Sequence, residues 1–439
     1  AIIAEDERRA AALCQPYDPI TGQGCTGERV PVWLDEAREL QVYIPSSMTA
    51  HSAVVRECIA EDRSLESKVF VHEFDEAVVE FNRLRIRHDF EFWAATCCQL
   101  EDQMTAQLCP LILRPPQRIS LASLERQRIA SGRIREVELK YRQYGSTTMK
   151  NAYAFWLQHV VWLGTNAYLI SLEQGASARI RLRYERIADH LPDWHGSVTL
   201  AGVAQAPNTK RCIEDDALVS IASVRNPQGP SGDTTQIALI SEAGKMQSGE
   251  VQDANRLMTN IMSQVPLSER TAVMMESTAE RSGAYFRRMV EKARKGESAF
   301  NLTFVSWLCD PKHTTTTYDV QAIAERCTSE GTLEHRCWNE GCSLAQVAWA
   351  VEKRGEYDEE WEFFQEFPLT PAAAFQYGAG RVFSPALVNR ARETAKNGLR
   401  GRLTGASEVG AESLAGINFE QSARGPVTIW RVPSPSLLV

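Results

Sequence analysis

The chain has 439 residues, 44% of them hydrophobic, and carries a formal net charge of −8. This length exceeds one ordinary core and predicts roughly two to three domains. The acidic balance argues against general coating of nucleic acid but leaves room for a local basic channel. No apolar run is long enough to span a bilayer, and the N-terminal sequence lacks the basic start and apolar core of a signal peptide. We therefore expect no membrane helix.

Residues 1–100 are charge-rich and predict a helical N-terminal region. Helical spacing is clear in EFDEAVVEFNRL (73–84), and strand signals are few. The segment PYDPITGQGCTG (16–27) is dense in proline and glycine, which favours an irregular loop.

Beyond this region, short apolar runs alternate with helical spacing, which indicates an α/β domain with a mainly parallel sheet over residues 101–396. Helical spacing covers 149–160 and 176–187. The strand candidates are EVEL (136–139), AYLISL (167–172), VTLAGV (198–203), ALVSIASV (217–224), IALI (237–240), TAVMM (271–275) and FNLTFVSW (300–307). Residues 397–439 then predict a Gly- and Ser-rich linker (397–414) and a fresh strand, GPVTIWRV (425–432).

The chain contains 11 cysteines, which we interpret as reduced thiols, mostly in the core. One cluster, with irregular spacing for zinc, keeps a zinc site open as the alternative; its members are Cys327, His335, Cys337 and Cys342.

The stretch KYRQYGSTTMK (140–150) is similar to a phosphate-binding loop that lacks its lysine. The pattern G-x-x-x-x-G-K-[ST] puts Gly145 at the second glycine, Ser146 at the lysine and Thr147 at the Ser/Thr. A strand precedes it and a helix follows, so backbone N–H groups and the helix dipole would face an anion. We expect Thr147 to reach Mg²⁺, with support from Thr148.

The missing cation near the β- and γ-phosphates would come from Arg142 inside this loop or from Lys140 at its start. The alternative interpretation is an ordinary strand-to-helix turn whose basic residues are solvated.

Two later strands also end in polar residues. IALISEAGK (237–245) ends in Ser241 and Glu242, where P-loop enzymes place a metal-binding acid and a glutamate that polarises water. MMESTAE (274–280) ends in Ser277 and Thr278, which could sense the γ-phosphate or simply cap the next helix.

Upstream, RPPQR (114–118) offers the amide of Gln117, which can pair with adenine. The basic stretches RIRLRYER (179–186) and RRMVEKARK (287–295) could contact DNA phosphates or be solvated helix faces.

Taken in order, these segments resemble the large terminase subunit of tailed double-stranded-DNA phages, and a later run resembles a family signature, Q-E-[FY]-P-x-T-x-x-x-A-F. The matching segments are LILRPPQR (111–118), ELKYRQYGSTT (138–148), IALISEAGK (237–245), VMMESTAERSG (273–283) and FFQEFPLTPAAAF (363–375). Their order and spacing, more than any single motif, carry the resemblance.

The resemblance implies a P-loop NTPase domain of the additional-strand, catalytic-glutamate type. It implies an Mg²⁺-dependent ATPase that packages double-stranded DNA into a procapsid. The expected partners are the portal protein, a small terminase subunit and further copies in a pentameric ring. This complex acts in the host cytoplasm and is absent from the mature virion.

By the same resemblance, single residues acquire roles. The adenine-contacting glutamine is Gln117, the catalytic glutamate is Glu242, and the coupling motif is Ser277-Thr278. The phosphate loop contains Arg142, Gln143, Gly145 and Thr147, so the cation would come from Arg142, possibly aided by Lys140.

Three departures from the family pattern stand out. Serine occupies both the lysine slot (Ser146) and the Asp slot (Ser241). The position of a trans-acting arginine is taken by Ser231-Gly232, with Arg225 the nearest alternative. The family's nuclease carboxylates do not occur before Val439, so we expect this chain to be the ATPase portion.

Two other functions stay open. The serine substitutions would suit a nucleotide-binding but catalytically weak assembly module. A helicase-like remodeller is a third possibility, but a second P-loop-like domain with paired arginines is not evident.

Overall fold

The computed structural model describes residues 2–37, 39–69, 73–102, 105–224, 234–246, 254–280, 284–375, 398–404, 418–422 and 427–429. The chain divides into two compact units, Ala1–Tyr377 and Gly378–Val439, whereas the sequence predicted a boundary at residue 396. In these described ranges, no helix has the length and apolar character that a membrane span needs.

The N-terminal region is mostly helical, as predicted, but it also contains a β-hairpin that the sequence analysis missed. Its elements are α1 (Ile2–Leu13), β1 (Arg29–Asp35), β2 (Leu40–Pro45), a 3₁₀ turn (Ser46–His51), α2 (Ala53–Ala60), α3 (Leu65–Lys68), α4 (Phe74–His88) and α5 (Phe90–Cys97). Strands β1 and β2 pair antiparallel. Alternate residues Val32, Leu34, Val42 and Ile44 are buried against the following helices, as period-two strands require.

The central elements alternate strand and helix around one large sheet. They are β3 (Gln99–Glu101), β4 (Leu108–Pro110), α6 (Pro115–Ser131), β5 (Arg133–Lys140), α7 (Ser146–Trp156) with a π-helical turn (Leu157–Val161), β6 (Ala167–Ser171), α8 (Gln174–Asp189), β7 (Leu200–Val203), β8 (Ala206–Cys212), β9 (Leu218–Ser223), β10 (Ile237–Ser241), α9 (Ala254–Gln264), β11 (Thr271–Ser277), α10 (Ala284–Arg294) and β12 (Asn301–Val305).

The large sheet has the strand order β12-β5-β11-β10-β6-β9-β8-β7. The six strands from β12 to β9 run parallel, and β8 and β7 add an antiparallel edge. Strands β6, β10 and β11 are buried along their whole length, because helices cover both faces of a parallel sheet. The predicted mainly parallel α/β fold is therefore confirmed. Strand β8 was missed because its sequence, APNTKRC, is too polar to read as one.

After the sheet, a helical subdomain packs on its own hydrophobic core. It contains a 3₁₀ turn (Trp307–Cys309), α11 (Val320–Cys327), α12 (Leu333–Asn339), α13 (Leu344–Arg354), α14 (Glu360–Glu366) and α15 (Pro371–Ala374). The N-terminal helix α1 docks here, since Arg9 donates to the carbonyl oxygens of Trp338 and Cys342.

The zinc alternative for Cys327, His335, Cys337 and Cys342 is not supported, because no potential metal cluster in the described part of the chain includes them. The two ring nitrogens of His335 lie 2.8 Å from the Cys327 carbonyl oxygen and 2.9 Å from the Asn339 amide nitrogen. The three cysteines are buried thiols, in line with the interpretation of core cysteines.

The second unit contains three short antiparallel strands in the order β14-β13-β15. They are β13 (Leu399–Thr404), β14 (Asn418–Gln421) and β15 (Val427–Ile429). The predicted strand at 425–432 is thus confirmed in its described part. The predicted linker is wrong at its start, because residues 399–404 pair on both sides.

Candidate nucleotide site

The phosphate-loop candidate, residues 141–145, joins β5 to α7. Two buried tyrosines anchor it through hydrogen bonds to buried carboxylates. The hydroxyl of Tyr141 donates to Asp310 over 2.5 Å, and that of Tyr144 donates to Glu138. Between them, Arg142 and Gln143 are exposed. The tyrosines therefore fix the loop while its outer residues stay accessible.

Gly145 begins the helix with a φ of 83° and lies against Gln117. A Cβ at this position would come within 2.9 Å of the Gln117 amide nitrogen, so the loop needs glycine for both conformation and space. The Gln117 amide donates to the Gly145 carbonyl over 3.2 Å and accepts from the Arg114 backbone N–H over 2.9 Å. In this structure Gln117 supports the loop, and its contact with adenine stays a prediction.

Arg114 is a second support of the loop that the sequence analysis did not single out. Its guanidinium donates to the Tyr144 carbonyl over 2.5 Å and to Asp310 over 3.2 Å. Lys312 adds a bond to the Gln143 carbonyl over 3.1 Å. These donors come from chain segments on both sides of the loop, so sequence spacing gave no signal for them.

The side chain of Ser146, at the lysine slot, points into the core and cannot replace the lysine. Its hydroxyl donates to Glu138 over 2.6 Å, and Lys150, one helical turn later, pairs with the same fully buried carboxylate. Burial alone would raise the pKa of Glu138, but the Lys150 ammonium, together with hydrogen bonds from Ser120 and Ser146, holds that pKa below its usual range. Ser146 can thus offer only its backbone N–H, among the first N–H groups of α7 that lack helical partners.

Replacing Lys150 with methionine is expected to lower the free energy of unfolding by about 3–5 kcal/mol, because Glu138 would be left buried without its cation. Urea denaturation measures this. The matched control is Lys353→Met, which removes the partly exposed pair with Glu356 and should cost less than about 1 kcal/mol. Equal losses in the two variants would contradict the importance of the buried pair.

Thr147, Ser241 and Glu276 form a hydroxyl–carboxylate cluster directly beside the loop. Glu276 Oε1 accepts from Thr147 Oγ1 and from Ser241 Oγ, each over 2.7 Å, and the two hydroxyls lie 3.2 Å apart. Lys140 Nζ lies 3.3 Å from Glu276 Oε2. Thr148 is half-buried one residue further along α7. The predicted partners Thr147, Ser241 and Lys140 are therefore brought together.

Glu276 is the residue of this site that the sequence analysis missed. It is the penultimate residue of β11 and is fully buried, and the parallel register sets it beside Ser241 of β10 and Glu138 of β5. Because β11 lies between the loop strand and β10, its carboxylate reaches the place where an acid at position 241 would have been expected.

Glu242 follows β10 with a left-handed backbone, φ 57°, which is uncommon for a residue other than glycine and clusters at functional sites. Its side chain is 39% exposed and lies 3.2 Å from Lys245 Nζ. Next to it, a Cβ on Gly244 would meet Ser277 Oγ at 2.6 Å. The turn that carries Glu242 therefore packs tightly against the end of β11.

The pair Ser277-Thr278 lies at this packed strand end. The Ser277 hydroxyl is buried and has no hydrogen-bond partner among the described residues, while Thr278 Oγ1 donates to Glu280 over 3.4 Å. Their predicted coupling role stays a prediction, supported by their position next to the turn that holds Glu242.

Arg142 forms an ion pair and a backbone hydrogen bond with Glu366, in the segment FFQEFPLTPAAAF (363–375). Its guanidinium lies 3.1 Å from the Glu366 carboxylate, and its backbone N–H donates to the Glu366 carbonyl over 2.9 Å. The Arg142 side chain is 55% exposed. Of the two candidate cations, Lys140 therefore lies against the acidic cluster, and Arg142 faces the helical subdomain.

The predicted DNA-contact stretches lie on α8 and α10. Several of their arginines have partners within the protein: Arg181 donates to the Pro207 and Ile221 carbonyls, Arg186 pairs with Glu101, and Arg287 pairs with Glu291. The alternatives for a trans-acting arginine, Arg225 and Ser231-Gly232, lie outside the described residues.

The fold and the position of the loop define a class. The loop follows β5 at the C-terminal edge of a parallel sheet, and one additional strand, β11, separates β5 from β10. This is the α/β P-loop NTPase fold of the additional-strand type, as predicted.

Several solved structures are similar to the chain at low sequence identity. The large terminase of bacteriophage HK97 matches with 13% identity and a TM-score of 0.42, over 71% of this chain and 60% of that one. The large terminase ATPase domain of Thermus phage P74-26 matches with 15% identity and a TM-score of 0.34, over 57% and 92%. The phi-28 gp11 DNA packaging motor matches with 10% identity and a TM-score of 0.29, over 65% and 76%.

The chain spans 60% of the length of the HK97 large terminase. No protein-family model matches the sequence, and no curated protein matches it.

Proposed function

We propose that this chain is an ATP-hydrolysing motor subunit that drives packaging of double-stranded viral DNA into a procapsid. The observation that carries the ATPase part is the cluster of Thr147, Ser241 and Glu276 with Lys140, beside a preformed loop at the edge of the sheet. The packaging part is supported by the order of five terminase-like motifs over residues 111–375.

The residues of the cluster fit a magnesium ion. Mg²⁺ prefers oxygen ligands, and two hydroxyls and a carboxylate are present. Glu276 Oε2 is buried, and apart from its ion pair with Lys140 it has no hydrogen-bond partner among the described residues, so it retains capacity for an ion. Bound Mg²⁺ would neutralise charge on the β- and γ-phosphates.

The protein groups divide the remaining work. The N–H groups at the start of α7 and the helix dipole would hold phosphate oxygens, and Lys140 would add the cation that Ser146 cannot supply. Glu242, half-buried on its left-handed turn, would orient the attacking water. Ser277 and Thr278 would respond to the loss of the γ-phosphate and couple that change to the surfaces that bind DNA.

Lys140→Met is expected to lower the rate of ATP hydrolysis by about 10²–10³-fold, because its ammonium lies in the acidic cluster where phosphate charge would be neutralised. Arg142→Met is the matched comparison and should cost less, since Arg142 pairs with Glu366. Steady-state ATPase rates measure both. A larger loss in Arg142→Met would show that the phosphate cation is Arg142, as the sequence analysis favoured.

The packaging proposal includes double-stranded DNA, a portal protein, a small terminase subunit and a pentameric ring in the host cytoplasm. Its test is ATP-dependent protection of DNA from nuclease by procapsids that carry portal, with this chain added. Protection that does not depend on ATP or on this chain would contradict the motor function.

A nucleotide-binding but catalytically weak assembly module is the second candidate, favoured by the inward-pointing Ser146 side chain and the missing acid at Ser241. It predicts that nucleotide binds while the ATPase rate with portal and DNA stays at background. Stimulated turnover under those conditions would exclude it.

A further inference from the structure

Outside the nucleotide site, His159, Cys212 and Asp215 bring three different metal-binding atoms together. One ligand atom from each lies within 4.8 Å of the others, and this is the one such group of three or more in the described residues. His159 lies on the π-helical turn after α7, Cys212 ends β8, and Asp215 lies in the turn between β8 and β9. Sequence spacing could not reveal the group, because the histidine comes from a distant segment.

The hydrogen-bond network fixes the protonation of the His159 ring. The Gln158 amide nitrogen donates to the carbonyls of Thr165 and Leu218, so its oxygen is the acceptor for the Tyr184 hydroxyl. Because the Tyr184 hydroxyl donates its hydrogen to Gln158, the Tyr184 oxygen must act as acceptor toward His159 Nε2, 3.1 Å away. The proton of a neutral ring is therefore on Nε2, and Nδ1 presents a lone pair.

That lone pair is buried and unused. The His159 side chain is 1% exposed, and Nδ1 has no hydrogen-bond partner among the described residues. The nearest carboxylate oxygen, Asp215 Oδ2, lies 3.8 Å away, which is beyond hydrogen-bond distance. An unpaired buried nitrogen of this kind is costly unless something binds it.

We propose that His159, Cys212 and Asp215 bind a zinc ion. An imidazole nitrogen, a thiolate and a carboxylate are the donors that Zn²⁺ takes in proteins, and the thiolate argues against Mg²⁺ or Ca²⁺. A ligating histidine usually donates its other ring N–H to a fixed acceptor, and Tyr184 holds that position.

The surroundings suit an ion of this type. The Cys212 thiol donates to Glu214 over 3.2 Å, and a bound zinc ion would displace its proton. The carboxylate of Asp215 is oriented by the N–H groups of Gly164 and Ala217. Asp215 is 17% exposed, which provides an entry path and a fourth position for water.

The ion would join the end of α7 to the antiparallel edge of the large sheet. Helix α7 also begins at the phosphate loop, but the zinc proposal does not depend on nucleotide binding. Its role would be to hold these two elements together.

The test is the zinc content of the purified full chain after dialysis against metal-free buffer, measured by mass spectrometry. We expect one equivalent of zinc, falling by at least about tenfold in Cys212→Ser and in Asp215→Asn, because a ligand is lost. Cys98→Ser, another buried cysteine, is the matched control and should retain the zinc. Cobalt replacement should give a thiolate charge-transfer band that Cys212→Ser lacks.

Asp215→Asn is the variant less able to disturb the fold, because Asp215 is partly exposed. Circular dichroism checks that this variant is folded, so that a loss of zinc in it reflects the loss of a ligand. A folded wild-type chain without zinc after exposure to zinc salt would overturn the proposal. So would equal zinc content in wild type and in Cys212→Ser.

Discussion

Replacing Glu242 with glutamine is expected to lower the rate of ATP hydrolysis by about 10²–10⁴-fold while leaving nucleotide affinity unchanged, because the amide cannot polarise the attacking water. The Glu242 side chain is half-buried and pairs with Lys245, and glutamine has nearly the same shape, so the substitution should not disturb the fold. Steady-state turnover and binding of a fluorescent ATP analogue measure the two effects separately.

The control for this prediction is Glu280→Gln, since Glu280 lies near the same edge of the sheet, beyond the end of β11. It should keep most of the activity. Hydrolysis that survives in Glu242→Gln and disappears in Glu280→Gln would transfer the role to Glu280.

The second large effect is expected for Glu276→Gln, which removes the negative charge from the Thr147–Ser241–Glu276 cluster. We expect magnesium affinity in the presence of ATP to fall by about 10–100-fold. The ATPase rate should therefore recover partly at high magnesium, unlike that of Glu242→Gln. A magnesium titration of the rate distinguishes a metal-binding role from a role in water activation.

Moving the carboxylate from position 276 to position 241 tests whether the cluster needs its negative charge. Ser241 and Glu276 face each other across β10 and β11, so Ser241→Asp in the Glu276→Gln background returns one carboxylate to the cluster. We expect this double variant to regain magnesium affinity relative to Glu276→Gln. Urea denaturation checks that the double variant is folded. If it is folded but does not regain magnesium affinity, Glu276 acts mainly through its pair with Lys140.

The parts of the site that sequence predicted are those encoded locally. Gly145 after a strand and before a helical pattern was enough to place the phosphate-loop candidate between β5 and α7, and Glu242 was proposed because it directly follows an apolar strand. These signals depend on neighbours in the chain, so they survive without knowledge of the fold.

The parts that sequence missed depend on which strands are adjacent. Glu276 looked like one polar residue in an apolar run, and its proposed role could be inferred only because β11 lies between β5 and β10. Lys150 looked like an ordinary helix residue, although it balances the buried Glu138. The hairpin of β1 and β2 was missed for a simpler reason, since its strands are short and Pro31 lies within the first of them, where a proline argues against a strand.

Tyr141 and Tyr144, the two buried anchors of the phosphate loop, have a consequence for binding affinity. A loop that must order itself around a ligand loses conformational entropy at that moment, and this loss is subtracted from the binding free energy. Here both hydroxyls and the Arg114 and Lys312 contacts hold the backbone in place beforehand. The loop therefore loses its conformational entropy during folding, and binding of a nucleotide does not have to supply that free energy.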